Sequence, residues 1–403
     1  MKILHVNKFF DFRGGTEMYL HRVMKMQSAN GHDVHILSTR AEENMPSADA
    51  GYFVHRFDFA HHDGFREDMR KAKAFIWNTE AKRATERIIH DVKPDVIHLH
   101  NIYHHLSTSI LDPIRASGIR CVQTLHDLKL ACPNYKMYTQ GSVCERCKGG
   151  NYWNAVSHRC LTHFMFGNAL AAFEMDFAKS RQAYEKTVSM FIAPSEFYHR
   201  KMIEWGEPAN RFVTIPNPVD LADVPAKGGG GFVLYVGRLS QEKGVDIFIR
   251  AAAQVPNLIV KIVGRGPEEA RLKELAQSLG ADNVTFLGFV PPDKVNALRD
   301  RAEAVIVPSL WYENSPLALL EAMGQGVPII ASHIGGMGEL VKDGENGWLV
   351  EPGNVESFAE ALRRLLGRTC EQHRAMGDIG REMIRARHGW KEHIEKLEKV
   401  YRP

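Results

Sequence analysis

The stretch ENSPLALLEAMGQGVPIIAS, residues 313–332, predicts a helix followed by an apolar strand. Ser315 is a candidate N-cap and Pro316 a candidate first helical residue, so free backbone N–H groups are expected at the helix start. Such a start binds anions, because its unpaired N–H groups and the helix dipole act together. Glu313 precedes the helix and Glu321 lies within it, and a carboxylate binds vicinal hydroxyls well. Glutamate is also common in first helical turns, so the spacing alone does not establish a binding site.

The length and composition predict a globular protein of two domains. The chain has 403 residues, more than one ordinary hydrophobic core holds, with 44% hydrophobic and 25% charged residues. A net charge of +3 is no nucleic-acid signature, so no nucleic-acid partner is expected. The start MKILHVNKFF is typical of a first strand rather than a signal peptide, and no apolar run approaches the ~20 residues of a membrane span. We expect a cytoplasmic protein with, at most, peripheral contact at the inner membrane face.

Strands and helices alternate along the chain, which predicts an α/β fold with parallel sheets. In the first half the expected strands are KILHVN, HDVHILST, PDVIHLHN and IRCVQTLHD. The alternation restarts after the glycine run 228–231 with FVLYVGRL and a helix. We therefore expect two doubly wound domains, 1–215 and 216–386, followed by a terminal helix over 387–403. The carboxyl ends of their sheets should face each other across a ligand-binding cleft.

The loop GRLSQEKG, residues 237–244, follows a predicted strand and contains two cations. Arg238 offers a planar fork and Lys243 a point charge, which together suit a diphosphate, although both residues are equally compatible with an ordinary surface loop. Gly14 and Gly15 follow the first strand, where glycine lets the backbone approach a phosphate or a sugar closely. The nucleotide-binding fingerprints G-x-G-x-x-G and G-x-x-x-x-G-K-[ST] are both missing from the sequence.

Histidines are concentrated in the first half, where sixteen of the twenty precede residue 200. Surface placement is the ordinary alternative for most of them, and it is accepted for His32, His61 and His62. The segments HLHNIYHH (98–105) and TLHD (124–127) each end a predicted strand, so their histidines are expected to face the cleft. His126 differs because it ends a predicted strand beside Asp127 and should therefore face the cleft. An imidazole in that position can hydrogen-bond a sugar hydroxyl or stabilise a developing charge.

Four of the six cysteines lie in one segment, CPNYKMYTQGSVCERCKGGNYWNAVSHRC. A C-x₂-C pair flanked by two further cysteines is typical of a structural zinc site. Disulfides within the same loop, or four free thiols, are the alternatives. The predicted ligands of a structural zinc ion are Cys132, Cys144, Cys147 and Cys160.

The sequence resembles the retaining glycosyltransferases of family 4. The motifs that carry the resemblance occur in the family's order across nearly the whole chain: GG after the first strand, TLHD, APSEF, IPNPVD, VGRLSQEKGVD, IVGRGP, FLGFVP and PSLWYENSPLALLEAMGQGVPIIAS with GG and E beyond it. The resemblance implies the GT-B architecture, in which two Rossmann-like domains face a cleft and the second binds most of the nucleoside-diphosphate sugar. It also implies that the last helix crosses back to the first domain, which binds the acceptor.

The resemblance assigns donor-binding roles around the quoted stretch. Glu313 and Glu321 are similar to the two glutamates of the family's E-x₇-E motif, which contact the donor sugar and the ribose respectively. The residues between them that start the helix are implied donor contacts as well: Asn314, Ser315, Pro316 and Leu317. Many relatives have Phe-Gly where this chain has Asn-Ser-Pro, so the sugar identity is not predicted.

The remaining implied roles concern the diphosphate and the reacting sugar. By resemblance, Arg238 and Lys243 neutralise the donor diphosphate, Gly15 lies near the phosphate, and His126 lies near the reacting sugar. Catalysis is then expected from His126, Glu313, Arg238 and Lys243, with retention of configuration and without a metal cofactor, since the sequence has no Asp-x-Asp motif.

The acceptor and two alternative functions remain open at this point. A glycan or lipid-linked acceptor is expected, because the resemblance is to enzymes that build surface polysaccharides. A sugar-nucleotide 2-epimerase would share the fold, and a non-catalytic sugar-nucleotide binding protein would share the binding residues. The segments 65–83 and 164–177 are candidate contacts with a lipid-linked acceptor or a membrane, although ordinary packed amphipathic helices fit them better.

Overall fold

The computed structural model describes residues 1–402 and contains two parallel six-stranded sheets, one in each half of the chain. The first sheet has the strand order β2-β1-β3-β4-β7-β8 and the second the order β11-β10-β9-β12-β13-β14. A small antiparallel hairpin, β5-β6, lies between them in sequence. The strands are β1 Lys2–Val6, β2 Asp33–Leu37, β3 Val96–Leu99, β4 Arg120–Thr124, β5 Tyr138–Thr139, β6 Ser142–Val143, β7 Met190–Ala193, β8 Phe212–Thr214, β9 Phe232–Val236, β10 Ile259–Val263, β11 Val284–Gly288, β12 Ala304–Val307, β13 Ile329–Ser332 and β14 Gly347–Val350.

Helices connect the parallel strands and cover both faces of each sheet, as parallel sheets require. The helices are α1 Gly15–Ala29, α2 Phe65–Ile76, α3 Thr79–Val92, α4 Leu111–Ser117, α5 Asn154–Ser157, α6 Met165–Ser180, α7 Glu196–Glu204, α8 Val245–Ala253, α9 Glu269–Ser278, α10 Pro292–Arg301, α11 Leu317–Gly324, α12 Met337–Leu340, α13 Val355–Leu366, α14 Cys370–Arg387 and α15 Trp390–Tyr401. No helix within residues 1–402 has the length and apolar character to cross a membrane.

Central strands are apolar because they are buried on both faces. All four residues of β3 and all four of β12 are buried. In each sheet the chain order reverses direction beside the first strand of that domain, between β1 and β3 and between β9 and β12. Ligands bind at such switch points in doubly wound sheets, so the fold places two candidate sites at the carboxyl ends of these strands.

The last helix packs against the first sheet rather than the second. Ile394, Leu397 and Tyr401 of α15 are buried in one cluster with Ile3 and Tyr19. The chain therefore returns to the first domain after completing the second. Pro403, the last residue of the predicted segment 387–403, lies outside the described residues.

The helix in the quoted stretch begins one residue later than predicted. Pro316 is the N-cap of α11, with φ −66° and ψ 120°, and Leu317 is the first helical residue. The extended ψ of Pro316 keeps it outside the helix, and no side chain caps the free N–H groups. The predicted N-cap, Ser315, has a buried Oγ without a hydrogen-bond partner within the described residues.

Candidate active site

The predicted site residues follow strands that end at the switch points of the two sheets. Arg238 and Lys243 follow β9, Glu313 follows β12, and His126 follows β4. Gly15 starts α1 immediately after the loop that follows β1. Because parallel strands share one carboxyl edge, each sheet brings its own residues together, and the two edges face each other.

Lys243 and Glu313 form an ion pair. The Lys243 Nζ lies 2.6 Å from Glu313 Oε1, and the Ser309 hydroxyl donates to the same oxygen over 2.7 Å. Burial alone would raise the pKa of Glu313, but the Lys243 ammonium and these hydrogen bonds hold it below its usual value. Glu313 is therefore a buried, ionised carboxylate. One of the two predicted diphosphate-binding cations is thus held next to the predicted sugar-binding glutamate.

Arg238 differs from Lys243 because its side chain is exposed and forms no ion pair with residues 1–402. The backbone around it is held firmly, since the Leu239 N–H donates to Arg265 O and the Tyr235 hydroxyl donates to Arg238 O. A fixed backbone with a free guanidinium suits a residue that binds an anionic ligand bidentately.

Glu321 lies in the second turn of α11 and is paired with a buried arginine. Arg299 Nη2 of α10 lies 2.6 Å from Glu321 Oε2. Arg22 of α1, in the other domain, lies 4.0 Å from the second oxygen, Oε1. Glu321 therefore sits where the domains meet, and one carboxylate oxygen has only a distant partner there.

The starts of two helices approach each other across the cleft. A Cβ added to Gly15, the first residue of α1, would lie 3.6 Å from Leu317 Cδ1, the first residue of α11. Gly14 and Pro316 are the N-caps, and neither helix start has a side-chain cap. Two sets of free N–H groups and two positive dipole ends therefore converge on one place, which favours an anion.

The Asn314 side chain bridges the two domains, and the donor contact predicted for this residue stays a prediction. Its Oδ1 accepts from Ser195 Oγ over 2.8 Å, and its Nδ2 donates to Leu125 O over 3.0 Å. The strand ends of the first domain lie directly opposite this loop, so the amide is used there. Asn314 thereby holds Leu125, and with it His126, against the second domain.

His126 ends a chain of buried hydrogen bonds that runs into the first domain. Its Nε2 lies 2.9 Å from His100 Nδ1, and His100 Nε2 lies 3.0 Å from His5 Nδ1. His5 Nε2 lies 2.7 Å from Gln27 Oε1, while Gln27 Nε2 donates to the Tyr401 hydroxyl of α15. The last helix is thus connected to the cleft through side chains.

The direction of this chain assigns the tautomer of each ring. Burial lowers the pKa of His5 to about 4 and that of His126 to about 3, and it lowers the pKa of His100 well below 6.5, so all three are neutral near pH 7. The Gln27 oxygen requires the proton of His5 on Nε2, which leaves Nδ1 to accept from His100. By the same logic His126 donates through Nε2, and its Nδ1 is the free acceptor.

The neutral chain predicts a loss of stability in acid. Unfolded histidine has a pKa near 6.5, above the pKa values of about 4 and about 3 of His5 and His126 in the folded chain. Below that pH the unfolded state binds more protons, so the free energy of unfolding falls by about 1.4 kcal/mol per pH unit and per histidine. We expect the melting temperature to fall between about pH 7 and about pH 5, less steeply in His5→Asn. His62→Asn, at an exposed site, is the control, and equal slopes in all three proteins would contradict the prediction.

Two family models together match residues 13–383 of the chain. The model described as Glycosyltransferase Family 4 matches residues 13–223, more than half of the chain, and the model described as Glycosyl transferases group 1 matches residues 219–383. The chain belongs to glycosyltransferase family 4.

Curated relatives of this family 4 chain match parts of it. A D-inositol 3-phosphate glycosyltransferase of Acidothermus cellulolyticus is 36% identical over 187 residues, which cover 43% of this chain and 41% of the relative. Spore coat protein SA of Bacillus subtilis is 32% identical over 186 residues, which cover 43% and 49%. The matched region spans about half or less of the length of these curated relatives.

Solved structures confirm the predicted GT-B fold. Sucrose-phosphate synthase from Thermosynechococcus elongatus superposes with a TM-score of 0.71 at 20% identity, covering 100% of this chain and 98% of that one. Anabaena HepE in complex with UDP-glucose superposes with a TM-score of 0.68 at 18% identity, covering 99% of each chain. The likeness therefore extends over both domains of this family 4 chain.

Several site residues of the family 4 chain were missed by sequence reasoning. They are the partners of the predicted residues: Arg299, Ser309, Arg22, His100 and Gln27. His100 lies in the segment HLHNIYHH, which ends a predicted strand, and that position was the only available signal. The four predicted zinc ligands all lie between β4 and α6, and no disulfide joins them.

Proposed function

We propose that the protein transfers a hexosyl unit from a nucleoside-diphosphate sugar to a glycan or lipid-linked acceptor, with retention of configuration, in the synthesis of a surface polysaccharide. One observation carries the proposal: two uncapped helix starts, an unpaired guanidinium and the Lys243–Glu313 pair converge at the edge of the donor domain. A diphosphate matches the cations and helix starts, and a sugar matches the carboxylates. The printed names of the relatives and of the UDP-glucose complex are consistent with this substrate class.

The chemistry follows from where charge develops. As the glycosidic bond to the leaving diphosphate breaks, negative charge grows on the phosphate and positive charge on the sugar. Arg238, Lys243 and the α11 start would stabilise the former, and such preorganised electrostatics usually provide the largest part of catalysis. These groups can do this without a metal ion. Glu313 would hold the sugar hydroxyls while its charge is balanced by Lys243.

The roles of His126 and Glu321 follow from their surroundings. His126 offers an unprotonated Nδ1 as an acceptor, and so would orient a hydroxyl of the transferred sugar or of the acceptor. Glu321 would bind the ribose hydroxyls through the oxygen that lies 4.0 Å from Arg22. No side chain is placed as an enzymic nucleophile in this scheme, so the acceptor hydroxyl attacks from the face that the diphosphate leaves, with a phosphate oxygen taking its proton.

A donor screen tests the proposal. The melting temperature is measured with UDP, GDP and ADP sugars, because a ligand of the native state stabilises it by about 2.7 kcal/mol at a hundred times its dissociation constant. For a domain of this size the shift is about 5 °C or more. We expect sugar nucleotides of one class to raise the melting temperature of the wild-type protein by this amount. They should not raise that of Arg238→Ala. If no sugar nucleotide shifts the melting temperature, the proposal fails.

Two other functions are distinguished by product analysis. A 2-epimerase would convert the sugar nucleotide without an acceptor, and a binding protein would release no nucleoside diphosphate at all. The intact set of two cations and two glutamates favours transfer over simple binding. Release of diphosphate that depends on an added glycan acceptor is the expected result.

An exposed aromatic surface on the first domain supports a lipid-linked acceptor. Helices α2 and α6 pack together, and the exposed apolar side chains at their starts include Phe65, Met69, Phe164, Met165 and Phe166. Arg66 and Arg70 are exposed beside them, a combination that suits peripheral contact with an anionic membrane. Cosedimentation with anionic vesicles should fall in Phe164→Ser/Phe166→Ser and not in Phe289→Ser, an exposed phenylalanine of the other domain. Equal sedimentation of both variants would refute the contact.

A further inference from the structure

The segment 132–160, here called the cysteine loop, has little structure of its own to hold it. Its regular structure is limited to the two-residue strands β5 and β6, the 3-10 turn Lys148–Gly150 and the four-residue helix α5. Met137 packs into the core of the first domain, while Cys147 and Tyr152 pack against α6 in a small separate cluster. A segment with so little regular structure is a candidate for support by crosslinks or a metal.

The backbone of the cysteine loop is unusually strained. Four of its non-glycine residues have φ between 47° and 54°, in the left-handed region that such residues avoid: Tyr135, Met137, Gln140 and Arg159. Conformations of this kind persist only where the surroundings impose them. Met137 is buried in the core of the first domain, but Gln140 and Arg159 are exposed, so packing does not impose their conformations, and the cysteines of the loop are not joined by disulfides.

The four cysteines of the loop share one neighbourhood. Cys144 follows the β5-β6 hairpin, and its N–H donates to Met137 O over 2.8 Å. The Cys132 thiol donates to Asn134 Oδ1 over 3.0 Å, and Asn134 Nδ2 donates to Cys160 O over 3.1 Å, so one side chain ties the first and last cysteine together. Cys132 and Cys147 are buried, whereas Cys144 and Cys160 are half-buried. Hydrogen bonds within the loop thus link Cys132 to Cys160, and Cys144 to the residue just before β5.

One of these sulfurs has a cationic hydrogen-bond donor beside it. The Arg146 guanidinium lies 3.5 Å from Cys144 Sγ. The Cys132 thiol instead donates to Asn134 Oδ1, and it would give up that proton on binding a metal ion. Donors to sulfur are typical companions of metal-bound thiolates.

Another cluster of potential ligands in residues 1–402 is less suitable. His5, His98 and His100 have ligand atoms within 4.8 Å of one another, closer than any three of the cysteine sulfurs. Each of these rings is already hydrogen-bonded to protein groups, and no anionic ligand accompanies them. The histidines are therefore satisfied without a metal, whereas the thiols would draw together around one.

The cysteine loop contacts the residues next to both halves of the donor site. Lys136 Nζ lies 3.1 Å from Glu242 Oε1, beside Lys243. The Tyr312 hydroxyl, beside Glu313, donates to Glu145 Oε1 over 2.6 Å, and Glu145 lies between the paired cysteines. The conformation of the loop therefore bears directly on the ion pair in the cleft.

We propose that Cys132, Cys144, Cys147 and Cys160 bind one zinc ion, which holds the cysteine loop against the donor-binding domain. The four thiols release four protons and form four Zn–S bonds, with no change of oxidation state. The tetrathiolate carries two negative charges, and Arg146 lies where it can offset part of them. The ion is structural, because all four ligand positions are filled by the protein.

Metal content tests the site on the full-length protein, purified under reducing conditions. We expect one zinc per chain in the wild-type protein and a loss of more than about tenfold in Cys144→Ser/Cys147→Ser. Cys370→Ser, at an exposed site outside the loop, should keep its zinc. Titration of the metal-stripped wild-type protein with Co²⁺ should produce the visible absorption of a tetrahedral thiolate site, which does not depend on any variant folding.

Hydrogen exchange tests the second half of the proposal. Stripping the metal should speed exchange at least about tenfold in the cysteine loop and also in residues 240–244 and 309–314, which it contacts. Absence of zinc together with absence of a Co²⁺ spectrum, or intramolecular disulfides in the reduced preparation, would overturn the metal site. Unchanged exchange in 240–244 and 309–314 would overturn the proposal that the zinc ion holds the cysteine loop against the donor-binding domain.

Discussion

Arg238→Ala is expected to lower kcat/KM for sugar transfer by about 100-fold or more, with no change in melting temperature. The side chain is exposed and has no ionic partner within residues 1–402, so its removal leaves no buried charge behind. In the proposed mechanism it binds the diphosphate most tightly when the leaving group is most charged. The loss should therefore appear in kcat as well as in KM.

Initial-rate kinetics and thermal melting check this expectation together. Arg301→Ala is a suitable control, because Arg301 is an exposed arginine of the same domain at the end of α10. Near-normal transfer by both Arg238→Ala and Lys243→Ala would refute the assignment of the two cations. A large fall in melting temperature would instead indicate that Arg238 has a structural role.

Lys243→Met and Glu313→Gln should each lower kcat/KM by about 100-fold, but they should differ in stability. Lys243→Met leaves the carboxylate of Glu313, only 7% exposed, without its partner, which costs about 3–5 kcal/mol. Glu313→Gln leaves Lys243, whose side chain is 24% exposed and can be hydrated, so its cost should be smaller. The structure thus predicts that Lys243→Met lowers the free energy of unfolding more than Glu313→Gln does.

The double variant Lys243→Met/Glu313→Gln completes the cycle. It should recover much of the stability that Lys243→Met loses while remaining inactive, because no unpaired charge is left. Denaturant unfolding under one condition measures the free energy of unfolding of the wild-type protein and of the three variants. Strictly additive losses would show that the ion pair is not coupled and that the buried carboxylate is stabilised in another way.

Sequence reasoning succeeded where the signal was local. Arg238 and Lys243 occupy one loop after a strand, and Glu313 and Glu321 flank one helix start. Their motif pattern and the alternation of apolar strands with helices predicted the family and the GT-B fold, both of which are confirmed. The roles of these four residues stay predictions until they are measured.

Sequence reasoning did not identify the ionic and hydrogen-bonding partners of the predicted site residues, because these partners are distant in sequence. Arg299 lies on α10, 22 residues before Glu321, and the two side chains meet only when the chain folds. The histidine chain crosses β1, β3 and β4, which are neighbours in the sheet but 26 and 95 residues apart at their contacts. Neither pairing follows from a pattern along the chain.

The Asn314 amide shows the same limit at a residue that was predicted. Its position in the motif predicted a donor contact, which stays a prediction, and gave no sign that its side chain joins Ser195 and Leu125 of the other domain. By itself the sequence determined which segments become strands, helices and glycine-containing turns, because periodicity, glycines and helix starts act between near neighbours. Only the tertiary structure decided which charges pair and which side chains span the cleft, because those contacts depend on strand order and on how the two domains meet.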